Sequence, residues 1–295
     1  MTAAAVATRP AQPSHAKRNV ALAGTALLIG WAVVTLNYDP AKIAELPGGI
    51  GQIFYLMYLK SGPDWSYLGD SLGYMVESLE MAWLGTVIGA VISLPLGFFG
   101  AKNVSSGLIS NAMRQVLNGI RSFPELVLAV VIFIPIAGLG PVAGALAMGL
   151  HSVGTLGKLT AEVVEGINPG PVEAARATGA RPLQVQRWGV FPQVMPEIVA
   201  FWLYRFEINI RASAVLGVVG AGGIGFALSQ TIAFHRYALT GTALLVVVVA
   251  TIAVDTASGF LRRRIIQGSD AKVTGEIVQP GLAEIDPHAR THMED

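Results

Sequence analysis

Long apolar stretches limit the fold of this sequence more than any other feature. A helix that crosses a membrane needs about 20 consecutive, mostly apolar residues. Such stretches lie at about 20–36, 78–100, 119–137, 142–164, 197–219 and 239–260. Asp, Glu, Lys and Arg make up only 13% of the 295 residues, whereas soluble domains contain about 25%. The sequence therefore predicts an all-α fold, a polytopic membrane bundle with about six transmembrane helices.

The first apolar stretch, 20–36, has features of both a signal peptide and an anchor helix. Lys17 and Arg18 precede it, as basic residues precede the apolar part of a secretory signal. The stretch has 17 residues, which is long for a signal, and no clear small-x-small cleavage site comes before Asn37. We therefore expect an uncleaved anchor helix that follows a cytoplasmic segment at 1–19.

The distribution of Lys and Arg predicts the orientation of the spans, because these residues are concentrated in cytoplasmic loops near span ends. With the N-terminus inside, thirteen of the 20 Lys and Arg residues fall in inner segments. Only Lys42, Lys60 and Arg236 fall in outer segments. We therefore expect a multi-pass protein of the inner or plasma membrane with both termini in the cytoplasm.

Three further parts of the chain can be assigned by composition. Residues 37–77 are expected outside the cytoplasm, where the apolar stretch 49–59 is too short to span and should lie along the membrane interface. The core transmembrane domain is expected at 78–265. The tail at 266–295 is polar and lacks apolar periodicity, so we expect it to be disordered in the cytoplasm.

Composition and motifs exclude several kinds of site. The absence of Cys excludes disulfides, thiolate nucleophiles and iron–sulfur clusters. Residues 220–225 formally match G-x-G-x-x-G, but they end an apolar stretch and do not follow a strand, as a dinucleotide site requires. His151 has no second ligand at metal-binding spacing, and no GxxxxGKS/T loop is present. We therefore expect no catalytic residues, metal, cofactor or nucleic-acid partner, and ATP binding by another polypeptide.

The inner loop at 168–192 contains the most specific pattern in the chain. Pro171 can begin a helix, since proline at the first helical position loses no hydrogen bond. Gly179 is placed to end that helix, and a second short helix is expected from Pro182 to about Trp188. Small residues on one face would let the groove of another protein approach closely.

This loop resembles the EAA loop of ABC-importer membrane subunits. The family pattern is Glu-Ala-Ala, three residues, Gly, nine residues and then Ile-x-Leu-Pro. The matching positions are Glu173, Ala174, Ala175, Gly179 and Pro192. Gly189 and Phe191 depart from the pattern, which has Ile and Leu there. The resemblance implies a type I ABC-importer permease fold, in which the five matching residues dock on a cytoplasmic ABC ATPase dimer and transmit its closure.

Three further stretches are similar to phosphonate-import permeases, within a wider group that includes methionine permeases. They lie at 121–126, 150–158 and 204–225, and Tyr-Arg-x-Glu-Ile-Asn-x-Arg-Ala-Ser in the last of them points to phosphonate or a related phosphorus oxyanion. The resemblance implies an importer permease, not an enzyme, that works by alternating access. The implied partners are a second copy of the chain, an extracytoplasmic substrate-binding protein and membrane lipid. Methionine, phosphite and phosphate stay open as substrates, and a heterodimer stays open as the assembly.

Ionisable residues within spans are costly and are functional candidates by default. In the fifth span, Glu207 and Arg211 are expected to pair at four-residue spacing, and so are Arg205 and Asn209. The candidates for the path of an anionic substrate are Arg205, Asn209, Arg211 and Ser213. Guanidinium groups suit such a path because they match phosphonate oxygens in bidentate contacts. The alternative is that these residues only fix the fifth helix against its neighbours.

The fourth span carries a polar face of its own. The residues at helical spacing on this face are His151, Thr155, Lys158 and Glu162. His151 and Lys158 are further candidates for lining the path, while hydrogen bonding between helices is the alternative. In the third span, Arg121 and Glu125 are expected to pair across Pro124 in a structural role.

A group of glycines ends the fifth span, at Gly220, Gly222, Gly223 and Gly225. Glycine permits close packing or a break in a membrane helix. We therefore expect these residues to form a gate near the outer mouth of the path.

Two other classes of membrane protein are weaker alternatives. A secondary transporter or channel would show inverted repeats or matching interrupted helices in two halves, and it would leave the loop at 168–192 unexplained. A membrane-embedded enzyme would need paired carboxylates, a metal motif or an activated nucleophile, and the spans offer none.

Overall fold

The computed structural model describes residues 15–35 and 40–277, which form helices and connecting turns without a strand. The helices are α1 (His15–Thr35), α2 (Pro40–Phe54), α3 (Leu68–Gly100), α4 (Gly107–Ser122), α5 (Glu125–Val127), α6 (Ile134–Ala137), α7 (Pro141–Glu165), α8 (Pro169–Ala177), α9 (Pro182–Val185), α10 (Phe191–Leu216), α11 (Gly223–Ala233) and α12 (Tyr237–Ile277). π-Helical turns lie at Tyr55–Lys60, Leu128–Phe133, Gln186–Val190 and Gly217–Ala221, and a 3₁₀ turn lies at Trp65–Tyr67. The prediction of an all-α fold is confirmed.

The chain divides into two compact units, Met1–Tyr55 and Leu56–Asp295. In the first unit, α1 covers the stretch expected to be the anchor, 20–36, as far as Thr35. α2 lies within the segment expected outside the cytoplasm and contains Pro47. Most of the segment at 1–19 lies outside the described residues.

Among the described helices, three are long and apolar enough to cross a membrane, or five spans if each of two bent pairs counts as one. The single helices that are long and apolar enough to cross a membrane are Arg18–Thr35, Trp65–Gly100 and Tyr237–Ile265. Two bent pairs suffice if each pair is one span: Gly107–Ser122 with Glu125–Ala137, bent by 76°, and Pro182–Ala221 with Gly223–Ala233, bent by 58°. α7, which covers the expected fourth span, is not among them. Its polar face accounts for this, and its apolar residues are buried between other helices of the bundle.

Three boundaries differ from those expected. α3 begins at Leu68, ten residues before the expected start of the second span. The expected third span is broken because Pro124 lacks an N–H and holds Phe123 in an extended conformation (φ −85°, ψ 122°). α12 continues to Ile277, so residues 266–277 of the tail expected to be disordered are helical, while 278–295 lie outside the described residues.

The centre of the second unit is the pair formed by α3 and α7, which approach closely through small residues. A Cβ atom added at Gly89 would lie 2.4 Å from Ser152 Cβ, and one added at Gly97 would lie 2.6 Å from Thr160 Cβ. In membranes, small residues at such positions let helices gain van der Waals contact and backbone proximity. α10 packs on this closely packed pair, which determines where its polar side chains lie.

Candidate functional site

The inner loop, residues 168–192, is hereafter the coupling segment. Its first helix, α8, begins at Pro169, and Asn168 caps it, since Asn168 Oδ1 accepts a hydrogen bond from Gly170 N (2.9 Å). The expectation that Pro171 begins the helix is therefore wrong by two residues. Pro169 fits the first helical position equally well, and the side-chain cap decides between them.

Gly179 ends α8, as expected. Its φ is +76°, in the left-handed region that glycine adopts without steric cost. Gly179 N donates to Arg176 O (2.9 Å) and Ala180 N donates to Ala175 O (3.3 Å), the paired bonds of a Schellman cap. The turn that separates the two helices of the coupling segment thus depends on this glycine.

The second helical part of the coupling segment comprises α9 and the π-helical turn Gln186–Val190, which continues into α10. The structure explains why glycine occupies position 189, one of the two departures from the EAA pattern. A Cβ atom there would lie 3.1 Å from Val172 Cα and 3.3 Å from Pro171 O. The glycine lets α8 pack directly on this turn, where the isoleucine of the pattern would separate them.

The exposed side of the coupling segment has mostly polar and small side chains, and two large apolar ones. Glu173 and Pro192 are exposed, while Leu183 is 83% and Trp188 69% exposed. The opposite side, which faces the helix bundle, is anchored, because Val172 packs on a buried cluster. The cluster consists of Ala101, Val164, Val190, Val194 and Ile198. Leu183 and Trp188 are thus two exposed apolar side chains on a motif whose other side is anchored in the bundle.

Arg205 is buried in the bundle, with its side chain 6% exposed. Arg205 Nε donates to Ser152 Oγ (2.8 Å), and Arg205 Nη2 lies 3.4 Å from Glu125 Oε2. The expected pair of Arg121 and Glu125 is therefore wrong. The break at Pro124 places the two residues on separate helices, and Glu125 pairs with α10 instead.

Asn209 lies next to Arg205 in the same buried network and is fully buried. Asn209 Nδ2 donates to Thr86 Oγ1 (2.9 Å) and to Ser152 Oγ (3.3 Å). Arg205 and Asn209 thus share Ser152 and do not bond to each other, contrary to the expected pairing. Ser213 is also buried, and its hydroxyl donates to Ile210 O (2.8 Å).

Glu207 and Arg211 do not pair with each other, contrary to expectation. Glu207 Oε1 lies 3.4 Å from Arg262 Nη2, and Arg211 Nη2 lies 3.2 Å from each carboxylate oxygen of Asp255. α12 offers charges opposite to those of α10, so the partners come from the neighbouring helix. The side chain of Arg211 is 55% exposed in the chain.

The polar face of α7 is half-buried. His151 Nδ1 donates to Phe123 O (3.0 Å), and Lys158 Nζ lies 3.9 Å from Glu162 Oε1. The six residues expected along a path differ in their burial in the chain. Arg205, Asn209 and Ser213 are enclosed between helices, whereas Arg211 is exposed beside α12.

The glycines after α10 form a tightly docked junction. Gly220, Gly222 and Gly223 have φ of 98°, 81° and 65°, which turns the chain from α10 into α11. Glu77 Oε2 accepts from Gly223 N (3.1 Å) and Ser78 Oγ accepts from Ile224 N (2.9 Å), so two side chains of α3 cap α11.

The sequence reasoning missed several partners of the candidate residues: Thr86, Ser152, Asp255, Glu77 and Ser78. Asp255 could have been recognised from the sequence. It is the one charged residue in the apolar stretch 239–260, and such a residue needs a partner. Thr86, Ser152 and Ser78 had no such signal, since hydroxyl groups within spans commonly bond to their own helix.

Replacing Gly225 by alanine is expected to disrupt this junction. A Cβ atom there would lie 1.9 Å from Ala214 O, and forcing backbone apart costs about 3 kcal/mol. The measurement is the unfolding midpoint and monodispersity in detergent. Gly259→Ala is the control, because nothing lies within 4 Å of that position. Equal stability of Gly225→Ala and Gly259→Ala would show that the backbone of the junction can move to accommodate the added Cβ atom.

The sequence pattern of one family, described as "Binding-protein-dependent transport system inner membrane component", matches residues 93–268. The chain belongs to this family. It is therefore the permease subunit of an ABC importer, an inner-membrane component and not an enzyme, and it works with an ATPase and a substrate-binding protein.

Two similar proteins support this assignment, and one solved structure has a similar fold. This permease is 40% identical to "Phosphite transport system permease protein PtxC" of Stutzerimonas stutzeri over 241 residues, 81% of this chain and 86% of that protein. It is 38% identical to "Phosphate-import permease protein PhnE" of Mycolicibacterium smegmatis over 207 residues, 69% of this chain and 38% of that protein. A chain of the MetNI methionine ABC transporter in an inward-facing conformation has a TM-score of 0.60 at 24% identity, covering 68% of this permease and 99% of that chain. This likeness shows the fold alone.

Proposed function

We propose that this permease imports small phosphorus oxyanions. The observation that carries the proposal is its 40% identity to a protein named as a phosphite permease, over most of both chains. A relative named as a phosphate-import permease supports the same class. A D-methionine permease of Vibrio cholerae is 31% identical over 182 residues, so methionine is the competing substrate that the test must include.

The test is uptake into proteoliposomes that contain this permease and its ATPase, with ATP inside and binding protein outside. Phosphite, phosphate, methylphosphonate and methionine are supplied in turn as labelled substrates. We expect accumulation of at least one phosphorus oxyanion and none of methionine. Accumulation of methionine alone would contradict the proposed substrate class.

Arg211 is the residue that we assign to the substrate path. It is a half-exposed guanidinium within a span, and a charged group facing lipid is costly. Its exposed side must therefore face either a water-filled path or a second copy of the chain. We propose a homodimer whose two copies enclose the path, with His151 and Lys158 as further candidates for its lining. Arg205, Asn209 and Ser213 are buried, so we assign them to helix packing.

Replacing Arg211 by glutamine is expected to reduce oxyanion uptake about tenfold or more, the effect of losing a charge-assisted bidentate contact. Assembly with the ATPase should not change. Asp255→Asn is the matched variant, because it breaks the same pair and keeps the cation. If the pair is only structural, both variants will lose stability and uptake equally, which would contradict the assignment.

The coupling segment is the part of the chain that we propose to contact the ATPase. Glu173, Ala174, Ala175, Gly179 and Pro192 match the EAA pattern, and the helix–turn–helix geometry with its exposed Leu183 and Trp188 supports docking. We propose that ATP-driven closure moves the two coupling segments together and switches the bundle between inward-facing and outward-facing states. With α7 as a sixth span beside the five that meet the length and composition criteria, both termini lie in the cytoplasm.

The junction at Gly220, Gly222, Gly223 and Gly225 is the part that we propose as an outer gate. It joins α10, which continues from the coupling segment, to α11, which α3 caps through Glu77 and Ser78. Movement of α10 would therefore strain these two hydrogen bonds first.

A further inference from the structure

A cavity of about 470 Å³ lies at the N-terminal end of α12, opposite the end that carries Arg262, Arg263 and Arg264. The polar residues that line it are Lys60, Ser61, Asp64, His235, Arg236 and Tyr237. In the proposed topology it opens on the outer side of the membrane. It is distant along α12 from Asp255, the partner of Arg211, so it is separate from the proposed path.

The cavity is built by hydrogen bonds between α12 and the segment before α3. Thr242 Oγ1 donates to Asp64 O (2.9 Å), Asp64 N donates to Ala238 O (3.4 Å) and Tyr58 OH donates to Gly241 O (3.2 Å). These bonds hold the two walls together, so the cavity is part of the fold.

The charged side chains that line the cavity are two cations, Lys60 and Arg236, and one carboxylate, Asp64. Among the described residues, neither Lys60 nor Arg236 forms an ion pair with a carboxylate. The Asp64 carboxylate is engaged in its own turn, because Oδ1 accepts from Ser66 N (3.0 Å) and Ser66 Oγ (2.6 Å). The first N–H groups of α12 add partial positive charge at the same place. Lys60 and Arg236 are two of the three basic residues expected on the outer side.

His235 follows the C-terminal end of α11 and lines the cavity. Its φ is +55°, and it is the one residue other than glycine with positive φ in the described parts of the chain. Its conformation is fixed by hydrogen bonds from His235 N to Ile232 O (3.0 Å) and from Arg236 N to Thr231 O (2.8 Å). These are the paired bonds of a Schellman cap, so the positive φ ends α11 and brings His235 and Arg236 to the cavity.

We propose that this cavity binds a tetrahedral phosphorus oxyanion between Lys60, His235 and Arg236. A guanidinium, an ammonium and an imidazole that line one cavity match the oxygens of such a group. Either a free phosphorus oxyanion or the phosphate of an outer-leaflet phospholipid offers this chemistry. The inference does not require the proposed transport substrate, because a lipid head group carries the same tetrahedral phosphate.

The test uses the permease assembled with its ATPase and compares two double variants. Lys60→Gln with Arg236→Gln removes the cations of the cavity. Lys102→Gln with Arg263→Gln is the control, which removes two exposed cations from the inner side. The free-solute measurement is the broadening of the ³¹P line of methylphosphonate by the complex in maltoside detergent. The lipid measurement is the phosphatidylglycerol retained by each variant when it is extracted from phosphatidylglycerol nanodiscs.

We expect the cavity variant to lose at least half of the line broadening or of the retained lipid, and the control to keep both. Loss of line broadening assigns the site to a free oxyanion, and loss of retained lipid assigns it to a head group. Equal behaviour of the two double variants in both measurements would overturn the inference. Failure of oxyanion uptake, with the lipid result intact, would contradict the proposed substrate and leave this site standing.

Discussion

Leu183→Glu and Trp188→Glu are each expected to abolish stable association of this permease with its ATPase. Both side chains are large, apolar and largely exposed, at 83% and 69%, on a segment whose other side is anchored in the bundle. Truncating an apolar anchor at the centre of an interface costs about 2 kcal/mol or more, roughly a 30-fold loss of affinity, and a buried carboxylate costs more still. The measurement is co-purification with the ATPase at fixed concentration.

Gln184→Glu is the control for this experiment. It adds the same charge to the same short helix and keeps the oxygen that accepts from Arg181 N (2.8 Å). The unfolding midpoints of all three variants should stay close to that of the original protein, because the three positions are exposed. Undiminished co-purification of both Leu183→Glu and Trp188→Glu would show that the ATPase binds elsewhere.

Arg205→Met is expected to destabilise the permease by about 3 kcal/mol, the usual cost of removing one partner of a buried ion pair. The change leaves the Glu125 carboxylate without its cation and removes the donor to Ser152 Oγ. Unfolding of the purified permease in mixed micelles measures the effect.

Two further variants show whether this cost arises from the pair. Combining Arg205→Met with Glu125→Gln should restore most of the stability, since replacing both ions avoids an uncompensated charge. Arg263→Met, at an exposed position, should cost little. If Arg205→Met is as stable as Arg263→Met but loses oxyanion uptake, Arg205 contacts the substrate and its assignment to packing is wrong.

Local features of the coupling segment were predictable from the sequence because they depend on neighbouring residues. Gly179 ends α8 through hydrogen bonds from Gly179 N and Ala180 N to carbonyl groups three and five residues earlier. The spacing of Gly179 from Glu173 therefore predicts where the helix ends. The start of α8 was misplaced for the same kind of reason. Pro169 and Pro171 both suit a first turn, and only the contact between Asn168 Oδ1 and Gly170 N distinguishes them.

The ion pairs of α10 were not predictable in the same way. Spacing suggested Glu207 with Arg211, but the partners are Arg262 and Asp255 on α12. Which residues of two helices face each other depends on their packing and relative register, which one sequence does not encode in any short pattern. Asp255, isolated in an apolar stretch, still signalled that some buried or paired cation lies opposite it.

The departure at Gly189 illustrates how packing changes a family pattern. Sequence comparison alone marks it as a mismatch, whereas the structure places α8 within 3.1 Å of the missing Cβ. The two helices of the coupling segment therefore form one closely packed unit, as the proposed transmission of ATPase closure to α10 requires.

The most direct test of coupling between this permease and ATP hydrolysis is the ratio of substrate imported to ATP hydrolysed. Proteoliposomes with the permease and its ATPase receive binding protein loaded with phosphite, and both rates are followed together. We expect hydrolysis to rise with loaded binding protein, uptake to require ATP, and Gly179→Val to keep hydrolysis while uptake falls at least tenfold. Uptake that proceeds without ATP, or an unchanged ratio in Gly179→Val, would contradict the account.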